Sequence, residues 1–175
     1  LKAVGPIVAA ITDVASDAVS WLIGNNLLPL ASVVIEPAKV LFLNNAINHG
    51  VLGPLGVAQA AETGKSILFM LESTPGPGLG LLLAFMFSGP RALRPSPPAA
   101  IIIQFFGGIH EIYFPYVLSK PMTILAAIAG GASGVAVNVL FNRGPRAPAS
   151  HGSIIAVLPP AAPANSLVGV VPVAC

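Results

Sequence analysis

Two short stretches of this 175-residue chain carry side chains able to hold a polar ligand. The first is Leu43-Asn-Asn-Ala-Ile-Asn-His-Gly50. On a helix Asn44 lies over Asn48 and Asn45 over His49, each pair at i,i+4 spacing, so the four groups cover an arc of about 140°. Carboxamides both donate and accept, which suits a neutral ligand rich in hydroxyls, and Gly50 is placed to end the helix. Hydrogen bonding between helices is the plainer role for such a face. The second stretch is Phe105-Phe-Gly-Gly-Ile-His-Glu-Ile-Tyr-Phe-Pro115. Gly107 and Gly108 permit a break that presents His110 and Glu111 at its tip. A carboxylate there can accept two hydrogen bonds from neighbouring hydroxyls, and it costs about 2.5–3.5 kcal/mol at membrane depth if it serves nothing. The plainer alternative pairs Glu111 with Lys120.

Other motifs carry less chemistry. Glu62-Thr-Gly-Lys-Ser66 resembles the end of a phosphate-binding loop, but Gln59 stands where that loop needs glycine. Glu62 and Lys65 are therefore expected to form a local ion pair. Glu36-Pro37 with Lys39 reads as the interfacial end of a segment, and Glu72 as either a pocket carboxylate or an interfacial one. Tyr113 and Tyr116 are expected in an interfacial aromatic belt. Three histidines and a lone cysteine, Cys175, exclude a disulfide framework and give no metal site; Cys175 is read as inert, and no cofactor is expected.

The elements that position these groups follow from composition. The chain is 55% hydrophobic and 8% charged, against about 25% charged in ordinary soluble domains. So few charges cannot solvate a core of this size, which excludes a soluble domain, a disordered tail and a nucleic-acid binder. Lipid is the solvent that fits. A helix needs about 20 apolar residues to cross a bilayer. Pro121–Asn142 is the cleanest span, 22 residues without a charge, with Ala18–Ile35 as the next candidate. The stretches 40–61, 73–90 and 95–116 are too short or too interrupted by Gly, Pro, Asn and His. The chain holds 18 Gly and 18 Pro, so the expected fold is all-α integral membrane: two to four transmembrane helices with re-entrant hairpins and broken helices. Gly130 to Gly134 forms a GxxxG for close helix packing. Arg91 with Arg94, and Arg143 with Arg146, mark connectors that the positive-inside tendency places on the cytoplasmic side.

Taken together, Leu43-Asn-Asn-Ala-Ile-Asn-His-Gly50, Gly64-Lys-Ser-Ile-Leu-Phe69, Pro75-Gly-Pro-Gly-Leu-Gly80 and Gly107-Gly-Ile-His-Glu-Ile-Tyr-Phe-Pro-Tyr116 resemble one family. It is the membrane-embedded IIC component of the bacterial mannitol permease of the phosphoenolpyruvate-dependent phosphotransferase system. Leu27-Leu-Pro-Leu30, Ile35-Glu-Pro-Ala-Lys39 and Gly152-Ser-Ile-Ile-Ala-Val157 fit the same family in order. The stretches around Ser88–Pro98, Asn142–His151 and Leu158–Pro163 depart from it, being unusually rich in Pro or Arg.

The resemblance implies a multi-pass, homodimeric protein of the bacterial inner membrane that carries mannitol or a related hexitol inward. A phosphorylated cysteine on a cytoplasmic IIB domain then phosphorylates the sugar alcohol, IIB being charged in turn through IIA and a phosphocarrier protein. Residues 1–175 would be one partial IIC domain, its second half, with the first spans, the last span and the IIB and IIA domains lying outside; alone the stretch is expected to be inactive. By the same resemblance Glu111 binds sugar hydroxyls with His110 beside it, and Asn44, Asn45, Asn48 and His49 form a second polar wall. His110 and Glu111 would also assist phosphoryl acceptance. The alternatives are a secondary polyol transporter or facilitator that needs no phosphorylation, and a truncated remnant without function.

Overall fold

The computed structural model describes residues 4–142, 144–149 and 152–157, without the side chains of Val4, Glu72 and Val157. The expectations for Glu72, Arg143, His151 and Cys175 lie outside the described residues. Among the described residues the regular structure is helical throughout, in agreement with the all-α membrane reading. Among the described residues, three helical runs are long and apolar enough to cross a bilayer: Gly5–Gly24, Leu68–Ser88 and Pro121–Leu140.

The first of these lies in α1 (Val4–Gly24). It ends at Gly24-Asn-Asn26, where Asn26 takes φ 58°, a left-handed conformation that asparagine tolerates. A 3-10 turn over Leu28–Ala31 then leads into α2 (Ser32–Val40). Pro29 falls in the first turn, where its missing N–H costs nothing. Ala18–Ile35 is therefore not a span, because the Asn pair and Pro29 divide it between two helices. The helix of membrane length lies earlier and carries Asp13 and Asp17, both exposed.

After α2 the chain turns at Phe42, which adopts φ 60°. It then runs helically from α3 (Asn44–Ile47) through a π-helical turn, Asn48–Leu52, into α4 (Gly53–Thr63). Gly50 does not end this helix. Pro54 cannot donate the bond that an α register would direct at the Gly50 carbonyl, and the ladder widens instead, Gly53 N–H reaching Asn48 O. The terminator is Gly64, at φ 77°. The next stretch pairs α5 (Leu68–Ser73) with α6 (Gly76–Ser88), separated at Thr74. Pro75 and Pro77 start α6 just after the extended Thr74, and the two helices together reach membrane length although the apolar part looked too short.

The chain continues through α7 (Pro97–Ile101), a second π-helical turn at Ile102–Phe106, a 3-10 turn at His110–Tyr113 and α8 (Phe114–Ser119). A short 3-10 turn at Pro121–Thr123 feeds α9 (Ile124–Leu140), so the cleanest expected span forms as a helix. The short α10 (Ile154–Val157) closes the described chain.

Helix α9 packs against both α2 and α6. In lipid, burying a leucine gains little by transfer, so close approach and packing must hold the helices together. Gly131 supplies that approach: a Cβ there would lie 3.0 Å from Glu36 Oε1 and 3.1 Å from Ser32 Oγ. Gly130 faces Pro77 of α6 at ordinary contact distance. The glycine-rich face of α9 is thus used within the chain. Leu81, Leu82, Phe85, Phe114 and Val117 form one buried cluster, and Ile35, Ile47, Leu52, Leu68 and Val135 belong to another.

Three local expectations are overturned. Glu36 and Lys39 are not interfacial: each is 1% exposed, and they form an ion pair of 2.8 Å. Tyr113 and Tyr116 are buried rather than belted at a surface, with the Tyr116 hydroxyl donating to Ser96 Oγ at 2.8 Å. Glu62 and Lys65 do not pair; Lys65 Nζ donates instead to the carbonyl of Asn142, at the end of α9 where a cation complements the helix dipole.

Candidate functional site

The two polar stretches meet. A cavity of about 480 Å³ is lined by Asn44, Asn45, Asn48 and His49 from one stretch and by Gly108, His110 and Glu111 from the other. Phe69 and Ser73 of α5, Gly53 of α4, and Pro148, Ala149 and Gly152 complete the lining. Every residue expected in the site thus reaches one space, although Glu111 is 62 positions beyond His49 in the chain.

Each wall is shaped by a local backbone irregularity. The Asn wall straddles the first π-helical turn, which begins at Asn48. The His-Glu wall follows the second. There the N–H of Gly107 reaches Ile102 O at 3.1 Å and that of Gly108 reaches Gln104 O at 2.9 Å. Gly107 leaves no room for a side chain, since a Cβ would fall 2.5 Å from Ile103 O. Gly108 then takes φ 76° and turns the chain out of the helix. This is the break expected at the two glycines, and it delivers His110 and Glu111 on a 3-10 turn. π-helical turns occur often at functional sites, because they free backbone groups and re-aim side chains.

The groups in the cavity differ in how firmly they are held. His110 is buried, and its Nε2 lies 3.1 Å from Gly152 O. A carbonyl only accepts, so Nε2 carries a proton and donates it to Gly152. Glu111 is exposed to the cavity, and its carboxylate makes no hydrogen bond or ion pair with any described residue; Lys120 does not reach it. The side chains of Asn45, Asn48 and His49 likewise hydrogen-bond to no described residue, while Asn44 is buried at the back of the wall. The Glu111 carboxylate, the amides of Asn45 and Asn48 and the His49 imidazole, left with open capacity around one space, match a neutral ligand bearing many hydroxyls. Among the described residues no cluster of His, Cys, Asp or Glu could hold a metal ion.

Sequence reasoning missed Glu36, Lys39 and Tyr113 as neighbours of the site. The Tyr113 hydroxyl approaches Glu36 Oε2 at 3.4 Å, directly behind the turn that carries His110 and Glu111. The i,i+3 spacing of Glu36 and Lys39 was the signal available for their pairing.

An all-helical membrane protein enclosing a polar cavity is the class that fold and site define. Comparison with known proteins takes this further. The chain is 60% identical over 156 residues to the PTS system mannitol-specific EIICB component of Bacillus subtilis, covering 89% of this chain and 33% of that protein. It is 61% identical over 155 residues to the same component of Halalkalibacterium halodurans, covering 89% and 33%. With the mannitol-specific EIICBA component of Pasteurella multocida it shares 56% identity over 167 residues, covering 95% and 27%. The chain therefore matches a segment of mannitol-specific phosphotransferase components and spans about a third of their length or less. No family model and no solved structure matches the chain.

Proposed function

We propose that the intact protein takes up mannitol, or a closely related hexitol, across the bacterial inner membrane and couples uptake to phosphorylation by a phosphocysteine IIB partner. The observation that carries this is the convergence of Asn44, Asn45, Asn48, His49, His110 and Glu111 on one cavity. The names of the relatives, which join IIC to IIB or to IIB and IIA, supply the partners. In this reading residues 1–175 are the second half of a IIC domain in a multi-pass homodimer, and the stretches bearing the two walls are re-entrant. The chain alone is inactive, because the phosphoryl donor resides on IIB, which the upstream IIA and phosphocarrier protein recharge.

Glu111 accepts hydrogen bonds from two adjacent hydroxyls, and the amides of the Asn wall donate to or accept from the others. In the transfer the terminal hydroxyl oxygen attacks phosphorus, the P–S bond to the IIB cysteine breaks and the thiolate leaves. The hydroxyl proton passes to a histidine, His110 or His49. Positioning and charge screening supply the catalysis.

The test uses membranes containing the full-length protein. Glu111→Gln is expected to abolish high-affinity binding of radiolabelled mannitol, and unchanged binding would remove Glu111 from the site. Mannitol that accumulates unphosphorylated without phosphoenolpyruvate would replace this reading with a secondary carrier.

A further inference from the structure

Behind the cavity, on the side away from the ligand space, two contacts join the segments that bear its walls. The Asn wall is the continuation of α2: Glu36 precedes Asn44 by eight positions, with the Phe42 turn between them. The His-Glu wall ends in Tyr113, two positions after Glu111. Glu36 spans the gap, with Oε1 bound to Lys39 Nζ at 2.8 Å and Oε2 facing the Tyr113 hydroxyl at 3.4 Å. Phe42 and Phe114 repeat the connection as an edge-to-face pair with centroids 5.3 Å apart.

We infer that this clasp of Lys39, Glu36 and Tyr113, backed by Phe42 on Phe114, sets the spacing of the two walls and so makes Glu36 and Tyr113 positioning residues for ligand binding. The inference rests on the proposed function of the cavity.

The tyrosine ring is tightly confined. Its ring is 2% exposed, meets Phe114 edge-on at 5.0 Å and lies against His110 at 6.4 Å. From the other side Gly78 of α6 approaches so closely that a Cβ there would sit 2.7 Å from the ring. Confined this way, the ring moves with the turn that carries His110 and Glu111. The buried Glu36 carboxylate is fixed on its own side by Lys39 and by the Gly131 face of α9. At 3.4 Å the hydroxyl contact is long, against about 2.7–2.8 Å for a typical O–H···O bond. There is slack across the clasp, and walls drawn together on a ligand take it up, so part of the affinity for the ligand resides in this contact. Phe42 in a left-handed conformation is a strained residue at the hinge of the same wall.

The experiment measures affinity and number of sites for radiolabelled mannitol in membranes containing the full-length protein. The variants are Tyr113→Phe, the charge-neutral pair Glu36→Leu with Lys39→Met, which leaves the Tyr113 hydroxyl no acceptor at position 36, and all three together. Tyr113→Phe is expected to weaken affinity about tenfold at an unchanged number of sites. The charge-neutral pair removes the same Tyr113–Glu36 contact and should weaken it too, and the triple variant should weaken it by less than the sum of the two. The inference is overturned if Tyr113→Phe binds like the wild type while Glu111→Gln has lost binding. A loss of sites at unchanged affinity overturns it too, because that marks a purely structural role. If Tyr113→Phe yields no folded protein, the charge-neutral pair decides on the same criterion. A wild type that binds no mannitol overturns the functional reading first, and the clasp with it.

Discussion

Glu36 and Glu111 are both glutamates set in apolar stretches, and the fold treats them in opposite ways. Glu36 is enclosed at 1% exposure, with a lysine on one carboxylate oxygen and a tyrosine hydroxyl near the other. Glu111 opens onto the cavity and has no partner among the described residues. A charge removed from water needs compensation. At Glu36 the chain provides it, while at Glu111 the capacity is left for something that arrives. On the proposed reading, the difference separates the part of the molecule that holds the walls from the part that meets the ligand, even though the sequence places both carboxylates in similar company.

Breaking the pair on one side should have the largest effect. Lys39→Met leaves Glu36 buried without its cation, at a cost of about 3–5 kcal/mol. Thermal unfolding in detergent should register this as a large loss of stability, most of which returns when Glu36→Gln is added. Recovery by the second substitution is the outcome that marks a pair; two additive losses would dissolve it. Glu111→Gln comes next, with roughly a hundredfold loss of mannitol affinity from two weakened charge-assisted bonds and an unchanged melting temperature. A melting temperature that fell with the affinity would make Glu111 a second Glu36. Asn45→Ala and Asn48→Ala should each weaken binding by about two- to tenfold, the worth of a neutral hydrogen bond, as read from equilibrium binding. Smallest of all, Lys65→Met removes an exposed helix-end contact worth about 0.3–1 kcal/mol, and mannitol affinity should not move.

The site was more legible in the sequence than the fold around it. Asn44, Asn45, Asn48, His49, His110 and Glu111 stood out because polar groups are costly in apolar stretches and short spacings decide which of them share a helix face. That the two stretches would meet across the chain came from family resemblance, not from spacing. The helix at Pro121–Leu140 was legible because nothing interrupts it. Those at Gly5–Gly24 and Leu68–Ser88 were not, since the charge-free run was counted from Ala18, after Asp17, and the apolar part after Pro75-Gly-Pro-Gly78 was too short without α5. Proline is harmless in a first turn, and whether it occupies a first turn depends on where the preceding helix stops. Glu36 and Lys39 were assigned to a membrane surface because a charge near an apolar run usually snorkels outward. Their burial depends on Gly131, 92 positions beyond Lys39, and on Tyr113, and no local window contains both.

The π-helical turn at Asn48–Leu52 has a consequence for how the chain tolerates change in length. A widened turn holds one residue more than the α register has room for, and each residue turns the helix by about 100°. Deleting Gly50 would bring α3 and α4 into one α register, with the His49 carbonyl left unbonded opposite Pro54. It would also rotate Asn44, Asn45 and Asn48 by about a quarter of a circle relative to the face on which α4 packs. The polar wall would then look away from Glu111, in a helix more regular than the native one. The surplus residue acts as a phase setting between packing and recognition, and the shorter, smoother helix should be the one that no longer binds.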